Sequence, residues 1–360
     1  MLTVSKKHVS VVSIGKARPR TAVAVAHGLG LPIEKTLTAI YRAPSLLVSD
    51  VDAHLADKLT SLLEQVGLET EVSDKPPVFE EKPLFDIALR LTNPASAHDV
   101  ADALASFCAC DTERALNMMI TPPGVVLGRV SKPTADALQA ALPDDAAELI
   151  ASDIKEARYV LIHNGESRTV LGRLERAVAE LGYQPLGAGV LMADDLGFAD
   201  AEALWGTFGR TGSIRIVNRD FLHFEIWLEG RRAGPEDPER VAAMHTLAGI
   251  PENTAERLLD HSPFVLESDV RHHGLEDRMS AYTAAGLQVR AELTTFQAVS
   301  LDIVGASEPE RLDAALRALS LPVGTLPVRT PAMMETQARI TRATLEAVGA
   351  EVYFAELQHG

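Results

Sequence analysis

Two thiols stand close enough in this 360-residue chain to suggest chemistry. Cys108 and Cys110 are two residues apart, and paired cysteine thiolates are frequent zinc ligands. A structural zinc site needs four ligands, however, and neither a second cysteine pair nor a histidine at ligand spacing accompanies these two. We therefore interpret both cysteines as small buried thiols and predict no metal site.

A second group consists of histidines that stand close together in the chain: His261, His272 and His273. Asp269 lies among them, and imidazoles beside a carboxylate suit a metal or an acid–base site. An internal repeat, described below, aligns Asp269 with Asp50 and His273 with His54. The alignment predicts that both aspartates are helix N-caps and that the histidines lie on a solvated helix face.

Two short segments resemble active-site loops. Residues 209–213 contain two glycines, but they lack the lysine and the following helix of a phosphate-binding loop, so Gly212 is predicted to end a helix. Residues 163–167 follow a predicted strand, and an Asn-Gly turn with a serine N-cap explains them without catalysis. No catalytic, cofactor-binding or metal-binding residue is therefore predicted.

The elements that would position these residues are repeated along the chain. Residues 30–68 and 249–287 align without a gap at an offset of 219, and eleven of the 39 pairs are identical. Most identities are glycines, prolines and a Ser-Asp-Val step, which are residues that backbone turns require. Such a repeat predicts a recurring supersecondary unit and assigns no chemistry by itself.

Weaker copies of the pattern occur at offsets of 79, 145 and 282 from the first. We predict an α/β (α+β) protein, a tandem array of five small repeats that each carry a three-stranded sheet covered by helices. Repeats 1, 2 and 4 read β-α-α-β-α-β, whereas repeats 3 and 5 read βαβαβ because their two front helices are fused. The predicted repeats 1 to 5 span residues 8–73, 85–151, 157–217, 222–292 and 296–358.

Four glycines fall at the same position of this pattern: Gly67, Gly212, Gly286 and Gly349. Each is predicted to lie between a helix and a strand. Gly67 and Gly286 are expected to adopt a positive φ, which glycine tolerates better than any other residue.

Composition narrows the classes of function. The formal charge of −16 disfavours phosphate neutralisation, so we expect no direct nucleic-acid partner. No signal-like segment and no window of about 20 apolar residues is present, so we expect neither secretion nor membrane insertion. Two cysteines do not form a disulfide framework, and a cytoplasmic location is the simplest expectation.

The first repeat also carries a family likeness. Residues 24–72 contain Gly-Leu-Pro-Ile from Gly30, an Ala43-Pro44 stop and a terminal Gly-Leu-Glu-Thr-Glu-Val from Gly67. This pattern resembles the C-terminal domain of the bacterial ribosomal stalk protein, whose fold is shared with the protease adaptors that recognise N-terminal degrons. Repeat 5 ends similarly, in Gly-Ala-Glu-Val-Tyr from Gly349. The resemblance implies a small α/β fold and a bacterial protein.

The resemblance also implies a docking surface. Stalk domains dock translation factors through a basic patch at the end of the first helix and the start of the second. The aligned positions here, Val23, Ala26 and Glu34, are not basic. Positive charge remains close to this edge of the repeat, and the candidate protein-binding residues are Arg18, Arg20, Val23, Ala26 and Lys35.

Three hypotheses about function follow. The first is a non-enzymatic interaction or scaffold protein whose partners are other proteins, through self-assembly or as a subunit of a larger assembly. The second is a stalk-like factor that acts with the translation machinery. The third is an enzyme with a site between repeats, for which His163, His261 and Asp269 are the candidates.

Overall fold

The chain folds into two compact lobes. The computed structural model describes residues 6–28, 30–80, 82–163, 168–184, 191–231, 237–261 and 263–355. Lobe 1 comprises Met1–Glu156 and Val299–Gly360, and lobe 2 comprises Ala157–Ala298. Repeats 1 and 2 therefore belong to lobe 1, which repeat 5 joins from residue 299 onward, and repeats 3 and 4 belong to lobe 2.

The predicted fold class is confirmed. The described residues form small three-stranded antiparallel sheets, and in each of the five sheets the first strand of the repeat lies between the second and the third. The longest helices have 13 residues. Accordingly, no helix in the described part of the chain is long and apolar enough to cross a bilayer.

The elements follow the same order in repeats 1, 2 and 4. Repeat 1 contains β1 (Lys6–Ser13), α1 (Pro19–Gly28), α2 (Ile33–Tyr41), β2 (Ser45–Asp52), α3 (Ala53–Gln65) and β3 (Glu69–Ser73). Repeat 2 contains β4 (Leu84–Leu91), a 3₁₀ turn (Pro94–Ser96), α4 (Ala97–Cys108), α5 (Thr112–Ile120), β5 (Val125–Ser131), α6 (Lys132–Ala141) and β6 (Ala147–Asp153).

Among the residues that the structure describes, repeats 3 and 5 each have a single front helix, as the sequence predicts. Repeat 3 contains β7 (Tyr159–His163), α7 (Arg168–Glu180), β8 (Leu191–Leu196), α8 (Phe198–Phe208), a 3₁₀ turn (Gly209–Thr211) and β9 (Ile214–Asn218). A further 3₁₀ turn (Arg219–Phe221) follows.

Repeat 4 contains β10 (His223–Arg231), α9 (Asp237–Ala248), α10 (Glu252–Leu259), β11 (Phe264–Arg271), α11 (His272–Ala284) and β12 (Leu287–Leu293).

Repeat 5 has the shortest strands. It contains β14 (Leu301–Ala306), α12 (Pro309–Ala318), β15 (Val328–Arg329), α13 (Glu335–Glu346) and β17 (Ala350–Phe354). Two further short strands, β13 (Ala298–Val299) and β16 (Met333–Met334), pair with each other. Helix α13 packs against the 3₁₀ turn and helix α5 of repeat 2, so repeats 5 and 2 are in contact within lobe 1.

The second strand of repeats 1 to 4 carries the same bulge. In repeat 1, Lys7 pairs with Val51 and Val9 pairs with Val48. Two residues along β1 are therefore matched by three residues along β2, which is one extra residue on β2. The corresponding pairs in the other three sheets show the same extra residue on the second strand. One residue in each bulge has a left-handed backbone: Asp50 (φ 59°), Arg129 (φ 55°), Asp195 (φ 65°) and Asp269 (φ 63°). Their spacings from Asp50 are 79, 145 and 219, the offsets found in the sequence.

This bulge shows that the predicted N-cap role of Asp50 and Asp269 is wrong. Both residues lie inside strands, because each strand continues past the bulge before the helix begins. Asp52 is the cap of α3, and its Oδ1 accepts a hydrogen bond from the Leu55 amide at 2.9 Å. In repeat 4 the cap position is Arg271, whose side chain makes no capping bond.

The predicted positions of the four repeat glycines are confirmed. Each lies between a helix and a strand with a positive φ: Gly67 (97°), Gly212 (67°), Gly286 (78°) and Gly349 (84°). At Gly67 the space is also restricted, because a Cβ atom there would lie 2.9 Å from the backbone of Lys16 and Ala17. Glycine is therefore required at this turn for both conformation and close approach.

Repeats 1 and 2 share one hydrophobic core. The buried side chains form a continuous cluster that runs from Val9 in β1 to Ala147 in β6, and α1 packs on α4. Tyr41 stacks on Phe107 with ring centroids 6.1 Å apart and donates a hydrogen bond to the Phe107 carbonyl at 2.7 Å. Thr134 in turn donates to the Tyr41 carbonyl at 3.0 Å. These two repeats are thus one packed body.

Repeats 3 and 4 are joined in lobe 2 by a smaller cluster. Val160, Ile162 and Val217 of repeat 3 are buried together with Leu222. Phe224 of strand β10 packs against this cluster. Leu293 of strand β12 and Phe296, which follows that strand, also pack against it. Lobe 2 is therefore also held by apolar contact between neighbouring repeats.

Candidate partner-binding groove

An open groove lies between helix α2 and the start of strand β2. The sequence Arg42-Ala43-Pro44 turns the chain from the helix into the strand. The groove has a volume of about 510 Å³. Its walls are Glu34, Lys35, Thr38, Ala39 and Arg42 from the helix side and Ser45, Leu46 and Leu47 from the strand. Strand β2 is an edge strand, since β1 is its neighbour in a sheet ordered β2-β1-β3.

The helical period decides which side chains line the groove. Thr36, Ala39 and Ile40 are buried toward the core, which leaves Lys35 and Thr38 on the open side of α2. The far end of the groove is held in place by Ser45, whose hydroxyl donates a hydrogen bond to the Ala39 carbonyl at 2.6 Å. The first residues of β2 are thereby fixed against the helix.

The groove combines apolar surface with positive charge. Leu46 is 40% exposed, so its side chain contributes apolar surface to the groove. Lys35 is exposed and makes no ion pair among the described residues. Arg42 donates from Nε to the Arg129 carbonyl of repeat 2 at 3.3 Å, which orients its guanidinium beside the groove. Two cations and one carboxylate, Glu34, thus line the groove of a chain whose formal charge is −16.

A second cavity of about 220 Å³ adjoins the groove and shares Arg42, Ser45 and Leu46 with it. Its other walls come from Pro44, from the linker between repeats 1 and 2, including Phe79 and Lys82, and from Leu84 and Ser131 of repeat 2. The groove therefore continues past the end of repeat 1, and a segment longer than a few residues could be accommodated.

The predicted protein-binding residues fall in different places. Lys35 lines the groove, and Arg18 and Arg20 are exposed at the beginning of α1. Val23 and Ala26 are only 7% and 0% exposed, because that face of α1 is buried in the core shared with repeat 2. The assignment of these two residues to a protein-binding surface is therefore not supported, because their side chains are not exposed to a partner. Leu46, Thr38 and Arg42 were not predicted, since each alone looks like an ordinary surface residue.

The two cysteines are free thiols at the contact between repeats 1 and 2. Cys108 ends α4, and Ala109 adopts a left-handed backbone before Cys110. Burial raises the pKa of the Cys108 thiol to about 12, with a further increase from Cys110. Burial also raises the pKa of Cys110, and nearby Arg114 opposes that rise. Both are therefore poor nucleophiles at neutral pH.

We expect alkylation to distinguish these thiols. At pH 8 in the native protein, iodoacetamide should modify Cys110 slowly and leave Cys108 unmodified, because Cys108 holds less thiolate and is more enclosed. In denaturant both should react at similar rates. Peptide mass spectrometry over a time course measures this, and raising the pH to 9.5 should accelerate Cys110 first. Equal native rates would contradict the greater enclosure of Cys108.

The members of the histidine cluster have separate partners in the structure. Asp269 lies beside His223 of β10, with Oδ1 2.8 Å from Nδ1, and is thus paired outside the predicted group. Nδ1 of His261 is 2.7 Å from the Arg257 carbonyl in its own helical turn. Within the described ranges, no three or more His, Cys, Asp or Glu residues are placed to hold a metal ion.

His272 and His273 begin α11 and have different surroundings. His273 is exposed, in agreement with a solvated helix face. His272 packs edge-on against Phe224 with ring centroids 5.8 Å apart. Burial lowers the pKa of His272, and the nearby Arg219 lowers it further. His272 is therefore held toward its neutral form as a packing residue.

The loop candidate at residues 209–213 does not have the geometry of a phosphate-binding loop. Residues Gly209–Thr211 form a 3₁₀ turn that Gly212 ends, and a strand follows where a phosphate-binding loop needs a helix. His163 is the last residue of β7. The segment 164–167, which completes that candidate, lies outside the described residues. Comparisons with known protein families, curated proteins and solved structures found no match to this chain.

Proposed function

We propose that this protein is a non-enzymatic interaction or scaffold protein that binds an extended segment of a partner protein in the groove between α2 and β2. The observation that carries the proposal is the pairing of an edge strand with a helix wall around exposed Leu46. Extended peptides commonly bind by lying along a sheet edge, where the backbone provides hydrogen bonds and adjacent pockets select side chains.

The composition of the groove supports the proposal. Leu46 presents apolar surface beside Lys35 and Arg42, and a partner segment would remove that surface from water. The two free thiols are compatible with the cytoplasmic location that we propose. The role as a subunit of a larger bacterial assembly, suggested by the resemblance of repeat 1 to stalk domains, belongs to the same proposal.

Photocrosslinking tests the groove in cells. A benzoylphenylalanine crosslinker at Thr38, which is exposed on the helix wall, is expected to give a discrete adduct with a partner. Leu46→Glu should reduce that adduct about 10-fold or more, because it replaces the apolar contact with a charge. Val304→Glu is the matched control, since Val304 is 43% exposed on a strand of the same lobe and does not line the groove.

The outcome separates this proposal from its alternatives. An adduct that persists unchanged in Leu46→Glu would contradict binding in the groove. The exposed residues Arg18, Arg20 and Lys35 motivate the stalk-like alternative, which predicts ribosome co-sedimentation and stimulated GTP hydrolysis by elongation factors. Loss of both effects in Lys35→Glu would favour it.

A further inference from the structure

Repeat 2 contains a groove at the equivalent place. It lies between helix α5 and the start of strand β5, which is an edge strand in a sheet ordered β5-β4-β6. Its volume is about 340 Å³. Five of its wall residues lie 79 positions after wall residues of the first groove: Arg114, Asn117, Met118, Thr121 and Val125. The repeat thus reproduces a surface as well as a fold.

The correspondence preserves the two features that a ligand would meet. A cation occupies the same helical position in both grooves, Lys35 in the first and Arg114 in the second. An exposed aliphatic side chain begins both strand walls, since Val125 is 41% exposed and Leu46 is 40% exposed. As with Lys35, the Arg114 side chain makes no ion pair with a carboxylate among the described residues.

The remaining wall positions differ in size and polarity. Ala39 is replaced by Met118, a larger apolar residue that also packs against the core. Arg42 is replaced by Thr121, which removes one positive charge. The second groove is therefore smaller, and it is lined by one cation and no carboxylate, whereas two cations and one carboxylate line the first, so the net formal charge of the two walls is the same.

The proline turn into the strand wall is also repeated, whereas the helix caps differ, because the counterpart of Asp111 is Pro32, which makes no side-chain capping bond. Asp111 caps α5 by accepting a hydrogen bond from the Arg114 amide at 2.7 Å, which fixes the turn that carries the cation. A proline precedes each strand wall, Pro44 in repeat 1 and Pro123 in repeat 2, and both follow cis peptide bonds. Repeats 3 and 5 have no helix equivalent to α2 among their described residues. Lobe 1 therefore presents two matching grooves.

We propose that lobe 1 has two peptide-binding grooves and that each takes an extended segment in which acidic and aliphatic residues alternate. Alternation places the side chains of an extended segment on opposite sides, so an aliphatic residue can contact Leu46 or Val125 while an acidic neighbour faces Lys35 or Arg114. The two unpaired cations on a strongly acidic protein give the acidic preference. The inference rests on the proposed function and specifies its partner.

Calorimetric titration of the purified full-length chain tests the second groove. The probe is a capped hexapeptide of alternating Glu and Val, and the control peptide has Lys in place of each Glu. The intact chain should bind two equivalents of the acidic peptide. Leu46→Glu and Val125→Glu should each bind one equivalent, and the double variant should bind none. Val304→Glu, with equal exposure in the same lobe, should retain both sites.

The readouts separate this inference from the proposed function. A single equivalent that Leu46→Glu removes and Val125→Glu leaves unchanged would overturn the second groove and keep the first. Equal affinity for the Lys peptide would overturn the acidic preference, as would an affinity that does not fall with added salt. No binding of the acidic peptide would overturn the inference entirely, whereas the Thr38 crosslink would still decide the proposed function. Circular dichroism verifies that every variant is folded.

Discussion

Replacing Leu104 by Ala is expected to destabilise repeats 1 and 2 together, by about 2–5 kcal/mol. Leu104 is fully buried in α4, within the continuous core that the two repeats share. Removing its three outer carbon atoms leaves a cavity in that core and loses apolar contact. Since α1 of repeat 1 packs on α4, the loss should reach repeat 1, whose own sequence is unchanged.

Hydrogen exchange followed by mass spectrometry measures the extent of this effect. Peptides from both β1 and β4 should exchange faster in Leu104→Ala, because both strands belong to the same cooperative unit. Leu174→Ala is the matched control, since Leu174 is equally buried but belongs to the separate core of repeat 3 in lobe 2. If only repeat 2 peptides responded to Leu104→Ala, the single shared core would be incorrect.

Gly67→Ala is expected to lower the free energy of unfolding by about 2 kcal/mol or more, and Gly212→Ala by only about 1 kcal/mol. Both glycines have a positive φ, so both substitutions force alanine into a left-handed conformation. At Gly67 the added Cβ also meets the backbone of Lys16 and Ala17, whereas nothing lies within 4 Å at Gly212. The difference between the two variants therefore measures the effect of close approach.

Urea denaturation of each variant gives this comparison. The transition of lobe 1 should shift for Gly67→Ala, and that of lobe 2 should shift less for Gly212→Ala. Exchange rates of peptides from each lobe assign the transitions if they overlap. Equal losses in the two variants would mean that the chain around Lys16 moves away at little cost.

The fold could be predicted from the sequence because the repeated residues are ones that particular backbone conformations require. Gly67 and Gly286 align at an offset of 219, and both have the left-handed conformation that only glycine adopts readily. The bulge at Asp50 and Asp269 could not be predicted from the sequence. An aspartate shortly before a helix is typical of an N-cap, and only the strand register shows that the strand continues past this residue.

The groove could be predicted only in part. Lys35 was named from its place beside a stalk-like edge, and it does line the groove. Val23 and Ala26 were assigned from an isolated domain, whereas here repeat 2 covers that face of α1. Leu46 was missed because an exposed leucine has no sequence signature. Its recurrence as an aliphatic residue at Val125, beside a recurring cation, is the signal that could have identified it.

The bulge in the second strand has a consequence for self-association. An edge strand exposes backbone groups that can template pairing with another chain, and a regular edge invites open-ended polymerisation into fibres. In repeats 1 to 4 the bulged second strand is an edge strand of its sheet. A regular strand from another molecule can follow such an edge for only a few residues before its register fails. The interruption therefore permits short ligands at Ser45–Leu47 while protecting a protein with many sheet edges from aggregation.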